Sequence, residues 1–242
     1  MQALHEYIEK DGFRLRGTAM SRVDGFSDVV FGFALTLLVV SLEVPRTYAE
    51  LHTVLLGAVP FAICFLLFMS IWWTHFKFFR RFGLHDAPTI WINAFLLFTV
   101  LLSVYPLKFL FTITTTHVGP GVFTAPSQQR DLQIVYGAGF AAIYLSFVAL
   151  YANAWRQRIH LRLNPLEIAI ALASVWGYAG VACCGLLCCL LACVLPLRIA
   201  SYASYSFLLL IVWGRLYTIV AGRRIRAARA RLGPEDRAGL HH

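Results

Sequence analysis

Six stretches of this chain run for roughly 20 residues or more with almost no charge, and no other feature limits its fold as much. Twenty apolar residues coiled at ~1.5 Å each make a helix about as long as the hydrocarbon core of a bilayer is thick. In that core only helices and closed barrels satisfy their own backbone polar groups. The runs are continuous and lack the ten-residue alternation of a barrel strand. Charged residues make up only 14% of the 242 residues, where a soluble domain carries about 25%. The chain therefore reads as an all-α integral membrane protein, with spans at 21–44, 51–78, 89–112, 132–153, 165–195 and 199–220. Gly177, Gly180 and Gly185 are candidate kinks in the long fifth span. Residues 1–222 form one membrane domain, and 223–242 form a basic cytoplasmic tail. The segment 1–18 lacks the apolar core and cleavage site of a secretory signal, so the first span itself acts as the targeting signal.

The basic residues orient these spans. Of 21 Lys and Arg residues, all but Arg46, Lys108, Arg130 and Arg198 fall on the side that holds both termini. By the positive-inside rule that side is the cytoplasm, and an even number of spans preserves the alternation. The expected location is the plasma membrane. The run Arg223-Arg-Ile-Arg-Ala-Ala-Arg-Ala-Arg231 is a strongly basic helix-former that reads first as a stop-transfer flank, and second as a ligand for anionic lipid headgroups. The net charge of +9 lies along a membrane face with no nucleic-acid motif beside it, so no nucleic-acid partner is expected.

Several chemistries have no residues to support them. The chain has no phosphate-binding glycine loop, no zinc-protease histidine pair, no nucleophile elbow and no Thr-Val-Gly-Tyr-Gly filter. It is read as no enzyme and as needing no cofactor or metal. Five of the six cysteines, Cys183, Cys184, Cys188, Cys189 and Cys193, share the fifth span, where thiols pack as small apolar groups. Glu167, two residues after Pro165, reads as a charge complementing a helix N-terminus.

The first span opens with Arg22-Val-Asp-Gly-Phe26-Ser27-Asp28 and then turns apolar. An ionised carboxylate inside a span costs roughly 2.5–3.5 kcal/mol, so polar groups kept there pair with one another or serve ion movement. Asp28 and Phe33 sit about 140° apart on a helix, and Phe33, Leu37, Val40 and Val44 follow one apolar stripe with Thr36 at its edge. On the simplest reading the stripe packs in the bundle and the polar cluster caps the helix. A second reading joins Ser27 and Asp28 to His75 of the second span and Asn93 of the third, which lie toward the same leaflet, with Trp72 nearby.

Arg22-x-x-x-Phe26-Ser27-Asp28, followed by Ala34-Leu-Thr-Leu-Leu, Trp72-x-x-His75 and Asn93, resembles the transmembrane protein 175 family of potassium channels. The match is detailed over the first half of the chain and topological over the second. The resemblance implies a homotetramer of six-span subunits, with the first helix of each subunit lining a central pore. It implies a hydrophobic constriction at Phe33, a threonine layer at Thr36, and Leu37 and Val40 along the pore wall. Arg22, Phe26, Ser27 and Asp28 become a structural motif with Trp72, His75 and Asn93 as its partners, and potassium is the permeant ion. The family usually places Ile or Leu where this chain has Phe33, so four phenyl rings would narrow the neck further. A secondary transporter or a proton-permeable pathway of the same fold is the alternative, and coupling of flux to an ion gradient separates it from a channel.

Overall fold

The computed structural model describes residues 9, 11–40, 47, 48, 52, 58–115 and 125–230. The regular elements among them are helical: α1 Arg22–Val40, α2 Ala58–Phe82, α3 Ala87–Thr115, α4 Pro126–Arg156, α5 Pro165–Val194, a 3-10 segment Leu197–Leu208, and α6 Leu209–Ala230. Among the described residues five helical stretches are long and apolar enough to cross a membrane: Phe61–Phe82, Ala87–Leu110, Ser127–Arg156, Pro165–Val194 and Tyr202–Ala230. α1 is not one of them, its side chains being described only as far as Leu38. The expected first and second spans each reach beyond the described residues, at 41–44 and at 51 and 53–57.

Local chemistry sets the helix starts. Ser21 and Asp24 cap α1 reciprocally: the Asp24 N–H donates to Ser21 Oγ at 3.1 Å and the Ser21 N–H to Asp24 Oδ2 at 3.0 Å. The cap is therefore not Ser27 and Asp28, which lie in the second turn. α5 starts on Asn164, whose side chain accepts from the Glu167 N–H, with Pro165 at the first helical position. α2 ends at Gly83, whose φ of 57° suits glycine and whose N–H returns to the Phe79 carbonyl at 2.8 Å.

The sixth span departs from its expected form. Its first twelve residues, Leu197–Leu208, wind as a 3-10 helix, and the α-helix then continues past 220 to Ala230. Ala221 is buried, and Ile225 and Ala228 pack on the core, so the basic segment is held as helix by an apolar stripe.

α1 packs on α2 and α3, α3 packs on α4, α4 packs on α5, and α6 packs on α5 and the 3-10 segment. The α4–α5 contact is a meeting of backbones. A Cβ on Gly185 would stand 2.8 Å from the Gly137 carbonyl oxygen and 3.0 Å from the Ala141 nitrogen. Small residues allow this approach, which replaces the hydrophobic drive missing between helices in lipid. Cys188 and Cys189 lie in the same seam, their thiols near the Gln133 and Ile134 carbonyls. α5 is continuous through Gly177, Gly180 and Gly185, whose place in it is to receive neighbours rather than to break it.

Candidate pore helix and its polar anchor

Two faces of α1 differ sharply. Ser27, Phe31, Ala34 and Leu38, at i, i+4, i+7 and i+11, are all buried against the rest of the subunit. The opposite face carries Arg22, Phe26, Val29, Gly32, Phe33 and Thr36, all exposed, with Phe33 61% accessible. The Thr36 hydroxyl on this face donates to the Gly32 carbonyl at 2.8 Å. Three placements differ from the expected stripe. Leu37 is half-buried and packs on the core, so it lies at the edge of the open face. Arg22 and Phe26 share the open face with Phe33, since seven residues bring a helix round to within about 20°. Val29 completes that face and was signalled only by the 26, 29, 33, 36 spacing. Val40 ends α1, and its side chain lies outside the described residues.

Behind the buried face runs a hydrogen-bonded chain through three helices. The Ser27 hydroxyl donates to the Val23 carbonyl at 2.7 Å and accepts from Asn93 Nδ2 at 2.9 Å. The amide oxygen of Asn93 then faces His75 Nε2 at 2.8 Å. Because that oxygen only accepts, the imidazole carries its proton on Nε2. Ser27, His75 and Asn93 are each at most 2% exposed. The His75 ring packs between Phe31 and Phe79, with centroids 5.4 and 4.6 Å away. Asp28 does not join this chain. It is half-buried, and its Oδ1 accepts from the Trp72 indole N–H at 2.8 Å. α1 is thus keyed to α2 through Asp28–Trp72 and to α3 through Ser27–Asn93. A 220 Å³ cavity lined by Asp24, Asp28, His75 and Arg80 opens beside the chain and has room for several waters.

The segment that leads into α1 is pinned as well. Phe13 is fully buried with its ring edge-on to Phe82. The Arg14 N–H and Nε donate to Glu167 Oε1 at 3.0 and 3.2 Å, and Arg16 Nη2 donates to Glu167 Oε2 at 2.8 Å. The Gly17 N–H reaches the Arg80 carbonyl at 3.0 Å. Arg81 binds Glu9 and Asp11 and lies over the Phe13 ring. Glu167, expected only to complement its own helix, is fully buried and joins α5 to the N-terminal segment. The alternation Arg14-x-Arg16 was the available signal, but its partner lies about 150 residues away.

A family profile described as the endosomal/lysosomal potassium channel TMEM175 matches residues 22–106, the stretch containing α1, α2 and most of α3. A potassium channel of Marivirga tractuosa is 37% identical over 175 residues, which is 67% of this chain and 70% of that protein. The chain belongs to the TMEM175 family. A crystal structure of a variant of the potassium channel MtTMEM175, bound to a nanobody fusion, superposes with a TM-score of 0.76 at 31% identity. That match covers 85% of this chain and 97% of that one. The structure of a TMEM175 homologue from Chamaesiphon minutus, described as a lysosomal potassium-selective channel, gives a TM-score of 0.54 at 22% identity. It covers 81% of this chain and 96% of that one, and shows the same fold. The curated relative in this family is a channel and not an enzyme. The matched stretch, which ends at Pro106, contains the Ser27–Asn93–His75 network.

Proposed function

We propose that this protein is a potassium-permeable leak channel of the plasma membrane, assembled as a homotetramer with both termini in the cytoplasm and the open face of α1 lining a central pore. The observation that carries the reading is that face itself. Phe26, Val29, Phe33 and Thr36 are exposed on a helix whose other side is sealed by packing and hydrogen bonds. An apolar helix face left uncovered in one subunit needs either lipid or copies of itself around an axis, and the second agrees with channel relatives.

In that arrangement four Phe33 rings form the neck, Thr36 hydroxyls form a polar layer one turn on, and Val29, Leu37 and Val40 continue the wall. A neck without polar groups opposes ions by dewetting, because a passing ion loses water and gains nothing from hydrocarbon. Potassium gives up hydration more readily than sodium, so such a neck favours it modestly. Thr36 returns part of the lost coordination. Gly32, next to Phe33 and with open space where a Cβ would stand, leaves room for the ring to turn. Arg22 and Phe26 sit at the mouth, while Ser27 and Asp28 with His75, Asn93 and Trp72 hold the rotation of α1 that aims Phe33 at the axis.

Purified protein in proteoliposomes tests this reading against a coupled transporter. A channel passes potassium down an imposed voltage at a rate independent of any proton or sodium gradient. Flux that stops when such a gradient is removed would identify a transporter instead.

A further inference from the structure

We propose that the groove between α5 and α6 binds one anionic phospholipid of the leaflet that contains Arg224, taking an acyl chain along its floor and the phosphate at its mouth. The groove has a volume of about 170 Å³ and is lined by Trp176, Trp213, Leu216, Tyr217, Val220 and Arg224 among others. The α6 residues follow i, i+3, i+4, i+7 and i+11 spacing, so they form one stripe that begins at an indole and ends at a guanidinium.

Polarity and charge agree on the occupant. Trp213 and Arg224 are eleven residues apart, about 16 Å along a helix, which is room for part of one acyl chain. Tyr217 shares a cavity with Lys77 and Arg81, and exposed Arg215 follows Trp213 by two residues, so the groove lies at the charged rim of the bundle, where headgroup and upper acyl chain meet. The floor asks for no hydrogen bond: the Trp213 N–H already donates to the Gly177 carbonyl at 3.0 Å. Glycine makes the depth possible, because the Trp213 indole lies directly on Gly180 and the Tyr217 ring on Gly177.

Arg224 is exposed, and no carboxylate among the described residues pairs with it. α6 carries no acidic residue, so the mouth is wholly cationic with Arg223 beside Arg224. Arg226 and Arg229 lie on other sides of the helix, away from the groove stripe. Unlike general attraction to a basic tail, this site predicts that one arginine and one groove matter. α6 packs on α5 and the 3-10 segment, and among the described elements α1 contacts α2 and α3. With α1 at the axis, as proposed above, the groove lies on the lipid-facing rim.

Bromine on an acyl chain quenches nearby tryptophan, so the test uses phosphatidylcholine vesicles holding a minor fraction of chain-brominated phosphatidylglycerol or of chain-brominated phosphatidylcholine. The expected result is several-fold stronger quenching by the brominated phosphatidylglycerol at equal mole fraction. Arg224→Gln should abolish the excess, Arg229→Gln should leave it, and Trp176→Phe should lower it. Equal quenching of the wild type by the two lipids would overturn the site. So would equal loss in Arg224→Gln and Arg229→Gln, which indicates diffuse attraction, or an unchanged excess in Trp176→Phe, which places the lipid elsewhere. The readout is binding, so a protein that selects this lipid and passes no potassium would end the channel reading and leave this one standing.

Discussion

Asn93 illustrates how much one buried amide does in this protein. It is buried between helices and satisfied at both ends, by Ser27 and by His75. Asn93→Leu leaves the His75 N–H without an acceptor and should destabilise the protein by about 1–3 kcal/mol. Ser27→Ala leaves the buried Asn93 Nδ2 without its acceptor and should cost a similar amount. Thermal unfolding of both variants in detergent checks this, and losses within error for both would contradict the network. Its members were legible in the sequence as polar residues at matching depth in three apolar runs. Which of them pair was not: Asp28 turns to Trp72, a choice made by side-chain geometry on neighbouring helices. The 3.6-residue period sorts the faces of α1, which is why the exposure of Phe33 can be read from spacing. Leu37, about 40° from Phe33, is half-buried against the core, so it sits at the edge of the open face rather than at its centre.

Among elements, α3 depends on a cap that carries a charge outside the membrane. Thr89 Oγ donates to Asp86 Oδ1 at 2.6 Å, and Asn153 Nδ2 at the end of α4 donates to Asp86 Oδ2 at 3.0 Å. Burial pushes the Asp86 carboxyl up, but the hydrogen bonds from Thr89, Asn153 and Gln157 outweigh it and hold the carboxyl below its usual value. A depressed pKa in the folded state adds stability that is complete above the unfolded value of about 3.9 and is lost as pH falls through the folded value. Stability of the wild type relative to Asp86→Asn should therefore shrink on acidification below about pH 4, as read by unfolding midpoints across pH. A constant difference would contradict the cap.

The α5–α6 pair makes a steric prediction. A Cβ on Gly180 would fall inside the Trp213 indole, so Gly180→Ala should destabilise by about 1–3 kcal/mol. Gly214→Ala, with open space around it, should not. Thermal midpoints compare the two. Apolar length made the spans readable to within a few residues at most ends. The helical continuation through the arginines agrees with a basic run of helix formers, and packing of Ala221, Ile225 and Ala228 holds it; the 3-10 start of the last span was not readable from apolar length.

Over the whole molecule, the N-terminal segment links the start of α1 to the end of α2 and the start of α5. Glu167 is its hub: fully buried, it accepts from Arg14, Arg16 and the backbone N–H of Asn164. Removing one partner of a buried ion pair typically costs about 3–5 kcal/mol. Glu167→Ala should approach the lower end, since both arginines retain some exposure. Chemical denaturation measures it, and a loss within experimental error would show that α1 needs no such strap. The sequence marked this carboxylate as a helix-start charge, and nothing local could name partners so distant along the chain.

The central claim is that Phe33, on the open face of α1, forms the constriction of a potassium-permeable pore. The most direct measurement is the reversal potential with potassium on one side of a planar bilayer and sodium on the other, for the wild type and for Phe33→Ala. The account predicts a wild-type reversal potential displaced in favour of potassium. Phe33→Ala should carry larger currents with a reversal potential nearer zero. A wild type without current, or a Phe33→Ala channel indistinguishable from it, would contradict the account.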